Sequence, residues 1–237
     1  MWKLYDDLYI GIPSGIRIDS CIVGKCWTAV CANGNVGIAK TLGMPDNPKE
    51  FAASFTGAWL RETAGHIKWG NLAQASVGVA AMNAWYNTKE RAEALDGLSS
   101  PAPLAGKTAY VGDYRAENAF PLPMSPDFDA AAYKSLSGFE VVVVAGEALT
   151  TRALPKLFDL AGKNTGFVID GLSVPCAPVF FAFDMPVREL RGFYPGILNS
   201  FIECADRDIE NPAFAQPFTI RLEAIKKIQE DARQHRW

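Results

Sequence analysis

The chain has 237 residues, of which 49% are hydrophobic and 21% charged, and its mean hydropathy is +0.02. These values are typical of a globular protein with one large or two small domains, and they exclude a disordered or fibrous chain. The net charge of −3 provides no basic surface, so we predict no nucleic-acid partner.

The sequence contains no segment that predicts a membrane span or an export signal. The most apolar run, residues 174–183, is interrupted by Pro175 and Pro178 and is shorter than the roughly 20 apolar residues that a span needs. The N-terminal segment MWKLYDDLYIGIP carries acidic residues where a signal peptide would carry a basic region. We therefore expect a cytoplasmic protein without a membrane partner.

The N-terminal part of the chain predicts an antiparallel meander surrounded by helices. Asn33-Gly34 is a strong hairpin signal between two alternating segments, and Asn71 can cap the last helix of this part. The predicted elements are a helix over residues 2–12, strands over 16–23, 26–32 and 36–41, and helices over 48–63 and 72–86.

A turn-rich linker, residues 96–106, precedes a segment in which strands alternate with helices. The predicted strands are residues 107–112, 139–145, 166–170 and 187–192, and the predicted helices are 151–161 and 221–236. Such alternation predicts a parallel sheet. We therefore predict an α/β fold with an α+β domain over residues 1–95 and a Rossmann-like domain over residues 104–237, including a C-terminal helix.

In open α/β sheets, ligands bind outside the carboxyl ends of the strands, so the residues that follow the predicted strands are the candidate site. They are Gly112, Asp113, Tyr114, Arg115, Gly146, Glu147, Thr150, Asp170, Gly171 and Ser173. Arg115 can pair with an anionic ligand or form a surface salt bridge. No glycine-rich dinucleotide fingerprint follows a strand, so no nucleotide cofactor is predicted.

The charges at these strand ends allow two opposite interpretations. Glu147, Asp170 and Asp113 could converge at one edge and bind a hard or borderline metal ion, with Glu147 and Asp170 as the predicted ligands. Alternatively, Thr150 and the helix N-terminus after Gly146 would suit an anion. The sequence does not decide between these alternatives.

Two amides lie one helical turn apart at the end of the predicted helix over residues 72–86. Asn83 and Asn87 share a helix face, where amides are unfavourable unless they form hydrogen bonds. They either contact a ligand between the domains or hold the domain interface together.

For the cysteines and His66 we predict structural roles. Cys21, Cys26 and Cys31 recur every five residues, but a zinc site would need a second pair of ligands at a distance, and Cys176 and Cys204 stand alone, so we expect reduced, mostly buried thiols. His66 is expected to be a structural residue. The aromatic segments with Phe193 and Phe201 suit either a homo-oligomer interface or the core.

Taken in order, these segments resemble a two-part family of unknown function with a suggested role in heavy-metal chelation. The resemblance spans nearly the whole chain and is carried by short motifs: Ile12-Pro13, Trp27–Val30, Gly37–Ala39, Ala80–Ala84 with Asn87, Val111-Gly112, Ala145–Leu149 and Gly171–Pro175. It implies an enolase-N-terminal-like domain joined to a Rossmann-like domain, with a site in the cleft between them.

This chain departs from the family pattern at the implied site. The family has Thr-Gly-Thr where this chain has Ala145-Gly146-Glu147, an Asn in place of Thr151, and Gly-Pro-Ser-Thr-Pro around Leu172 and Val174. These differences remove hydroxyl and amide groups and add a carboxylate.

Three hypotheses follow from the sequence. The first is a protein that binds a divalent or heavy metal ion or a small ligand in the interdomain cleft. The second is an enzyme on a small anionic or metal-chelate substrate, with Glu147 or Asp170 as the acid or base. The third is a structural subunit in which the polar groups only hold the domains together.

Overall fold

The computed structural model describes residues 3–101, 103–182, 185–196, 205 and 215–234. Phe201, which belongs to one of the aromatic segments considered for an oligomer interface, and Cys204 lie outside these residues. None of the described helices is both long and apolar enough to cross a membrane.

The first part of the structure is a three-stranded antiparallel meander with helices, as the sequence predicted. Asn33 and Gly34 both have positive φ values, 51° and 74°, which the tight hairpin at this position requires. The elements are α1 (Lys3–Ile10), β1 (Ile18–Val23), β2 (Trp27–Ala32), β3 (Asn35–Lys40), α2 (Pro48–Ala53), α3 (Leu60–Ala64), α4 (His66–Trp69), α5 (Leu72–Tyr86) and α6 (Lys89–Ala94).

The second part is a six-stranded sheet with helices. Its elements are β4 (Thr108–Val111), β5 (Ala119–Phe120), a 3-10 helix (Ala130–Gly138), β6 (Val141–Ala145), α7 (Glu147–Thr150), α8 (Leu154–Ala161), β7 (Gly166–Asp170), a second 3-10 helix (Pro178–Phe181), β8 (Val187–Pro195), β9 (Ala215–Arg221) and α9 (Leu222–Gln234). The strand order is β5-β4-β6-β7-β8-β9, and among the described residues only β9 is antiparallel to its neighbour. The predicted α/β class is confirmed.

Two predicted helices differ in the structure: one is divided, and the other begins later than predicted. The helix predicted over residues 48–63 is interrupted by a turn in which Gly57 has a φ of 80°. The helix predicted over residues 151–161 begins only at Leu154, because Arg152 has a φ of 61° and Pro155 lies in the first turn of α8. Helical spacing alone did not reveal either left-handed residue.

Helix α5 lies directly on the meander, and its small residues make this possible. It starts with a capping box, in which Asn71 accepts a hydrogen bond from the Gln74 backbone and the Gln74 side chain accepts one from the Asn71 backbone. Gly37 of β3 contacts the α5 backbone so closely that an added Cβ atom would overlap Ala84 N and Ala80 O. The opposite face of the meander packs against Leu172, Ala205 and Ala215 of the second part.

The two parts share one hydrophobic core among the described residues. Side chains of α1, α5 and the meander belong to the same buried cluster as those of β6, β7 and α8. The chain between the two parts is also attached to the second sheet, since Thr219 of β9 donates a backbone hydrogen bond to Gly97 O (2.8 Å). The division at residues 95 and 104 stays a prediction.

The contact between Gly37 and α5 predicts a large effect of one methyl group. Gly37→Ala should lower the free energy of unfolding by about 3 kcal/mol, because the neighbouring atoms are backbone and cannot rotate away. Urea denaturation measures the change. The matched control is Gly15→Ala, whose Cβ would meet no atom within 4 Å and which should change stability by less than about 0.5 kcal/mol. Equal stability of the two variants would contradict the close packing.

Candidate functional site

The carboxyl ends of β4, β6 and β7 lie side by side at one edge of the parallel sheet. Val111 pairs with Val144, and Ala145 pairs with Asp170. The register therefore places Glu147, two residues after β6, next to Asp170, the last residue of β7. The sequence prediction that these two carboxylates meet at one edge agrees with this geometry.

Two glycines permit the close turns at this edge. The Gly146 amide donates a hydrogen bond to Asp170 O (2.7 Å), and a Cβ at Gly146 would lie 2.8 Å from Val174 Cγ2. Gly171 has a φ of 120°, which favours glycine. Residues 171–177, which we call the docking loop, leave β7 here and pass over Gly146.

The docking loop is fixed to the first part of the protein by Asn83 of α5 and by Asn87, the residue that caps the end of α5. Asn87 Nδ2 donates to Val174 O (2.9 Å) and Phe193 O (3.0 Å), and Asn87 Oδ1 accepts from Cys176 N (2.7 Å). Asn83 Nδ2 donates to Ile38 O (2.7 Å) and Leu172 O (3.2 Å).

These contacts support the alternative in which the amides hold the interface. Among the described residues, the Asn87 side chain makes three hydrogen bonds, and all three join it to backbone atoms. Asn83 is fully buried, and its Oδ1 has no hydrogen-bond partner among the described residues. The prediction that Asn83 contacts a ligand therefore depends on this oxygen atom.

Ser173 connects the meander to Glu147. The backbone amide of Lys40, the last residue of β3, donates to Ser173 Oγ (3.0 Å). The Ser173 hydroxyl also lies close enough to the Glu147 carboxylate to lower its pKa. Ser173 therefore lies between a residue of the first sheet and a carboxylate at the edge of the second.

Glu147 is half-buried, and this burial raises the pKa of its carboxyl group. Its own backbone amide, the positive charge of Lys40 and the Ser173 hydroxyl oppose the increase, whereas the negative charge of Asp170 adds to it. The net effect is a carboxyl group that holds its proton more tightly than an exposed Glu.

Asp170 shows the same behaviour. Burial raises its pKa, and the Arg191 charge and the hydrogen bond that the Tyr114 hydroxyl donates to Asp170 Oδ2 (3.3 Å) only partly offset this. Burial also raises the pKa of Tyr114, with the Asp170 and Glu147 charges as further causes. Tyr114 is therefore a hydrogen-bond donor at neutral pH.

Arg191 lies beside Asp170 and is held by a buried acid. It is the register partner of Asp170 across β7 and β8. Glu189, which is only 7% exposed, accepts a hydrogen bond from Arg191 Nε through Oε1 and one from Arg221 Nε through Oε2 (3.3 Å). Arg221 also donates to Ser100 O (2.6 Å). Arg191, Glu189 and Arg221 thus form an ion-paired group across β8 and β9, and the Arg191 charge lowers the pKa of Asp170 on β7.

Other predicted site residues lie apart from the two carboxylates. Gly112 forms the turn after β4 with a φ of 141°, and Asp113 and Arg115 beyond it are exposed. Thr150 is fully buried at the end of α7, and its hydroxyl has no partner among the described residues. The anion site predicted at a helix N-terminus is not supported, because α7 has only four residues and begins with the Glu147 carboxylate.

The expectation of three converging carboxylates is wrong for the described part of the chain, where no group of three or more His, Cys, Asp or Glu side chains could hold a metal ion. The thiols do not form such a site either. Burial raises the pKa values of Cys21 and Cys176 to about 12, so both stay protonated. Burial lowers the pKa of His66, which packs edge-on against Phe55.

Sequence reasoning did not identify two cations of the site, Lys40 and Arg191. Lys40 lies in the other sheet, and Arg191 reaches Asp170 only through the strand register. A local sequence signal existed only for Arg191, because it follows Glu189 by two residues in a predicted strand and must share its face.

Ionisation of Glu147 should make the wild-type protein less stable as the pH rises. Burial makes the pKa of Glu147 higher in the folded protein than in the unfolded protein. The protonated Glu147 side chain therefore contributes stability that is fully present below the pKa of the unfolded state and is lost as the pH rises through the pKa of the folded state. Glu147→Gln cannot ionise, so its stability relative to wild type should increase between pH 4 and pH 7, as thermal unfolding in metal-free buffer would show. The exposed control Glu117→Gln should follow the wild-type curve. A constant difference between Glu147→Gln and wild type would contradict the burial of this carboxyl group.

Loss of Asn87 should release the docking loop. Asn87→Ala leaves three backbone groups without their partner, so the free energy of unfolding should fall by about 3 kcal/mol or more in urea denaturation. Asn118 provides the control, because its exposed side chain donates one hydrogen bond, from Nδ2 to Thr108 O (3.4 Å). Asn118→Ala should cost less than about 0.5 kcal/mol, and a similar small loss in Asn87→Ala would show that the loop is held by other contacts.

Comparison with known proteins agrees with the family resemblance. The sequence model of a family described as "putative heavy-metal chelation" matches residues 5–86. No curated protein matches the sequence.

Two solved structures share the fold over almost their whole length. A protein of unknown function from the DUF364 family of Desulfitobacterium hafniense is 24% identical, with 93% of this chain and 97% of that chain covered and a TM-score of 0.79. A DUF364 protein of unknown function from Pyrococcus horikoshii is 17% identical, with coverages of 92% and 98% and a TM-score of 0.72. Residues 5–86 therefore match the heavy-metal chelation family, and the whole chain has the fold of these two proteins.

Proposed function

We propose that the protein binds a divalent metal ion, alone or within a small ligand, between Glu147 and Asp170. The observation that carries this proposal is the pairing of these two partly buried carboxylates at the carboxyl edge of the parallel sheet. The negative charge of Asp170 raises the pKa of Glu147 although Lys40 and Arg191 lie nearby, whereas packing alone would favour apolar or amide side chains.

The donor atoms at this edge fit a hard or borderline ion. They are the carboxylate oxygens of Glu147 and Asp170, with the Tyr114 and Ser173 hydroxyls nearby. A soft ion would need thiolates, and the described thiols do not lie in a group of metal ligands. Because two carboxylates leave coordination positions open, the ion would bind additional ligands from outside the protein.

The match to the sequence family supports metal binding, but it does not cover Glu147 and Asp170. The description "putative heavy-metal chelation" belongs to a family matched over residues 5–86. That segment supplies Lys40 and Asn83, whereas Asn87 and both carboxylates lie beyond it. The proposed site therefore combines groups from both sheets.

Calorimetric titration with Ni²⁺ tests the proposal directly. Glu147→Gln and Asp170→Asn should each weaken binding by about tenfold or more, and the double variant should abolish it, because each substitution removes a charged ligand. The exposed residues Glu117 and Asp159 give matched controls, Glu117→Gln and Asp159→Asn, which should bind like wild type. Wild-type affinity in the double variant, or loss of binding in Cys21→Ser, would contradict this site.

A second candidate function is acid–base catalysis on the bound ligand. The specific observation in its favour is that Glu147 has a raised pKa and lies near Asp170, whose charge is modulated by the Tyr114 hydroxyl. The two functions predict different behaviour of the variant Glu147→Gln. In an enzyme, Glu147→Gln would lose turnover of a ligand that it still binds, whereas in a binding protein the affinity itself is lost.

A further inference from the structure

We propose that the protein binds a small organic phosphate at the amino edge of the parallel sheet. A cavity of about 440 Å³ lies there, between the loop that leads from α8 to β7, the start of β8 and the first residue of α9. Its volume falls within the range of about 300–1,000 Å³ that is common for small-molecule pockets. Glu147 and Asp170 lie at the opposite, carboxyl edge, so this inference is independent of the proposed function.

The walls of the cavity are held in place by the pairing of β7 with β8. Phe167 pairs with Val187, and the Phe167 amide donates a hydrogen bond to Pro186 O (2.7 Å). In the loop before β7, Thr165 is buried, and its Oγ1 donates to Phe139 O (2.8 Å). Both segments that carry the polar groups of the cavity are therefore fixed to the edge of the sheet.

Two cations line this cavity, and no described acid lines it. Lys163 and Arg188 contribute two positive charges, although the chain as a whole has a net charge of −3. Within the described part of the chain, neither side chain takes part in an ion pair. A dianion complements both charges, and a phosphate monoester carries a charge of about −1.5 to −2 at neutral pH.

Arg188 is positioned at the cavity by a neighbouring glycine. A Cβ atom at Gly166 would overlap Nε and Cζ of Arg188, so the arginine side chain lies directly against the backbone at the start of β7. Arg188 Nη2 donates to Asn164 O (3.2 Å), which is the one hydrogen bond of this guanidinium group among the described residues. The other N–H groups are available to a ligand, and an arginine fixed in this way suits bidentate contact with phosphate oxygens.

The apolar part of the wall favours an organic phosphate over inorganic phosphate. Met185, Pro186 and Leu222 line the cavity, and each is partly exposed. Covering such apolar surface is favourable by roughly 25 cal/mol per Å². A phosphate ester with an aromatic or aliphatic group can therefore contact the cations and the apolar wall together.

Calorimetric titration of the full chain with phenyl phosphate, inorganic phosphate and benzyl alcohol tests the inference. Wild type should bind phenyl phosphate about tenfold more tightly than inorganic phosphate, because the phenyl group covers the apolar wall. Benzyl alcohol, which lacks the charge, should not bind measurably. Lys163→Gln and Arg188→Gln should each weaken the binding of phenyl phosphate by about tenfold, because each removes a charge-assisted contact. The matched control is Lys49→Gln on α2, which removes an exposed lysine outside the cavity and should bind like wild type.

Gly166→Ala tests the position of Arg188 without changing the charge of the cavity. The added methyl group must displace the Arg188 side chain, so the affinity for phenyl phosphate should fall by about threefold or more. Lys163→Gln alters an exposed side chain and keeps the test decisive if Arg188→Gln or Gly166→Ala does not fold. Absence of phenyl phosphate binding to wild type, or equal losses in Lys49→Gln and Lys163→Gln, would overturn the inference. Equal affinity of wild type for phenyl phosphate and inorganic phosphate would overturn the assignment of an organic ligand.

Discussion

The structure of the site depends on the attachment of the docking loop to α5. Asn83 and Asn87 donate to three carbonyl groups that belong to this loop and to β8, and Asn87 also accepts the Cys176 amide. Since Ser173 lies within the same loop, its hydroxyl is placed between Lys40 and Glu147. Buried backbone groups are costly to leave unpaired, so each asparagine fixes the position of the loop strongly. Small residues on α5 and Gly37 on β3 allow the helix to approach closely enough for these bonds.

The electrostatic arrangement is the second constraint on function. Glu147 and Asp170 are partly buried acids with raised pKa values, and each lies beside a cation from another element. The Asp170 side of this arrangement is rigid, because Arg191 is anchored by Glu189, whose other oxygen binds Arg221. Buried ionic groups contribute little net stability, so their retention at a sheet edge agrees better with ligand recognition than with packing.

Much of the fold was predictable from the sequence, because local patterns report local structure. The valine run over residues 141–144 predicted a strand buried on both faces, Asn33-Gly34 predicted the hairpin, and the carboxyl ends of the strands located Glu147 and Asp170. The left-handed φ of Arg152 and the antiparallel strand β9 carry no such local pattern. Long-range geometry was not predictable either. The convergence of Lys40 and Arg191 depends on docking and register, and the hydrogen bonds that commit Asn87 to the backbone depend on where the docking loop passes.

Anomalous diffraction from crystals soaked with Ni²⁺ tests the central claim most directly, because it locates the metal without a substitution. Our account predicts an anomalous peak about 2.0–2.2 Å from carboxylate oxygens of Glu147 and Asp170. A peak at Cys21, Cys26 or Cys31, or a metal bound at the surface with no contact to either carboxylate, would contradict it.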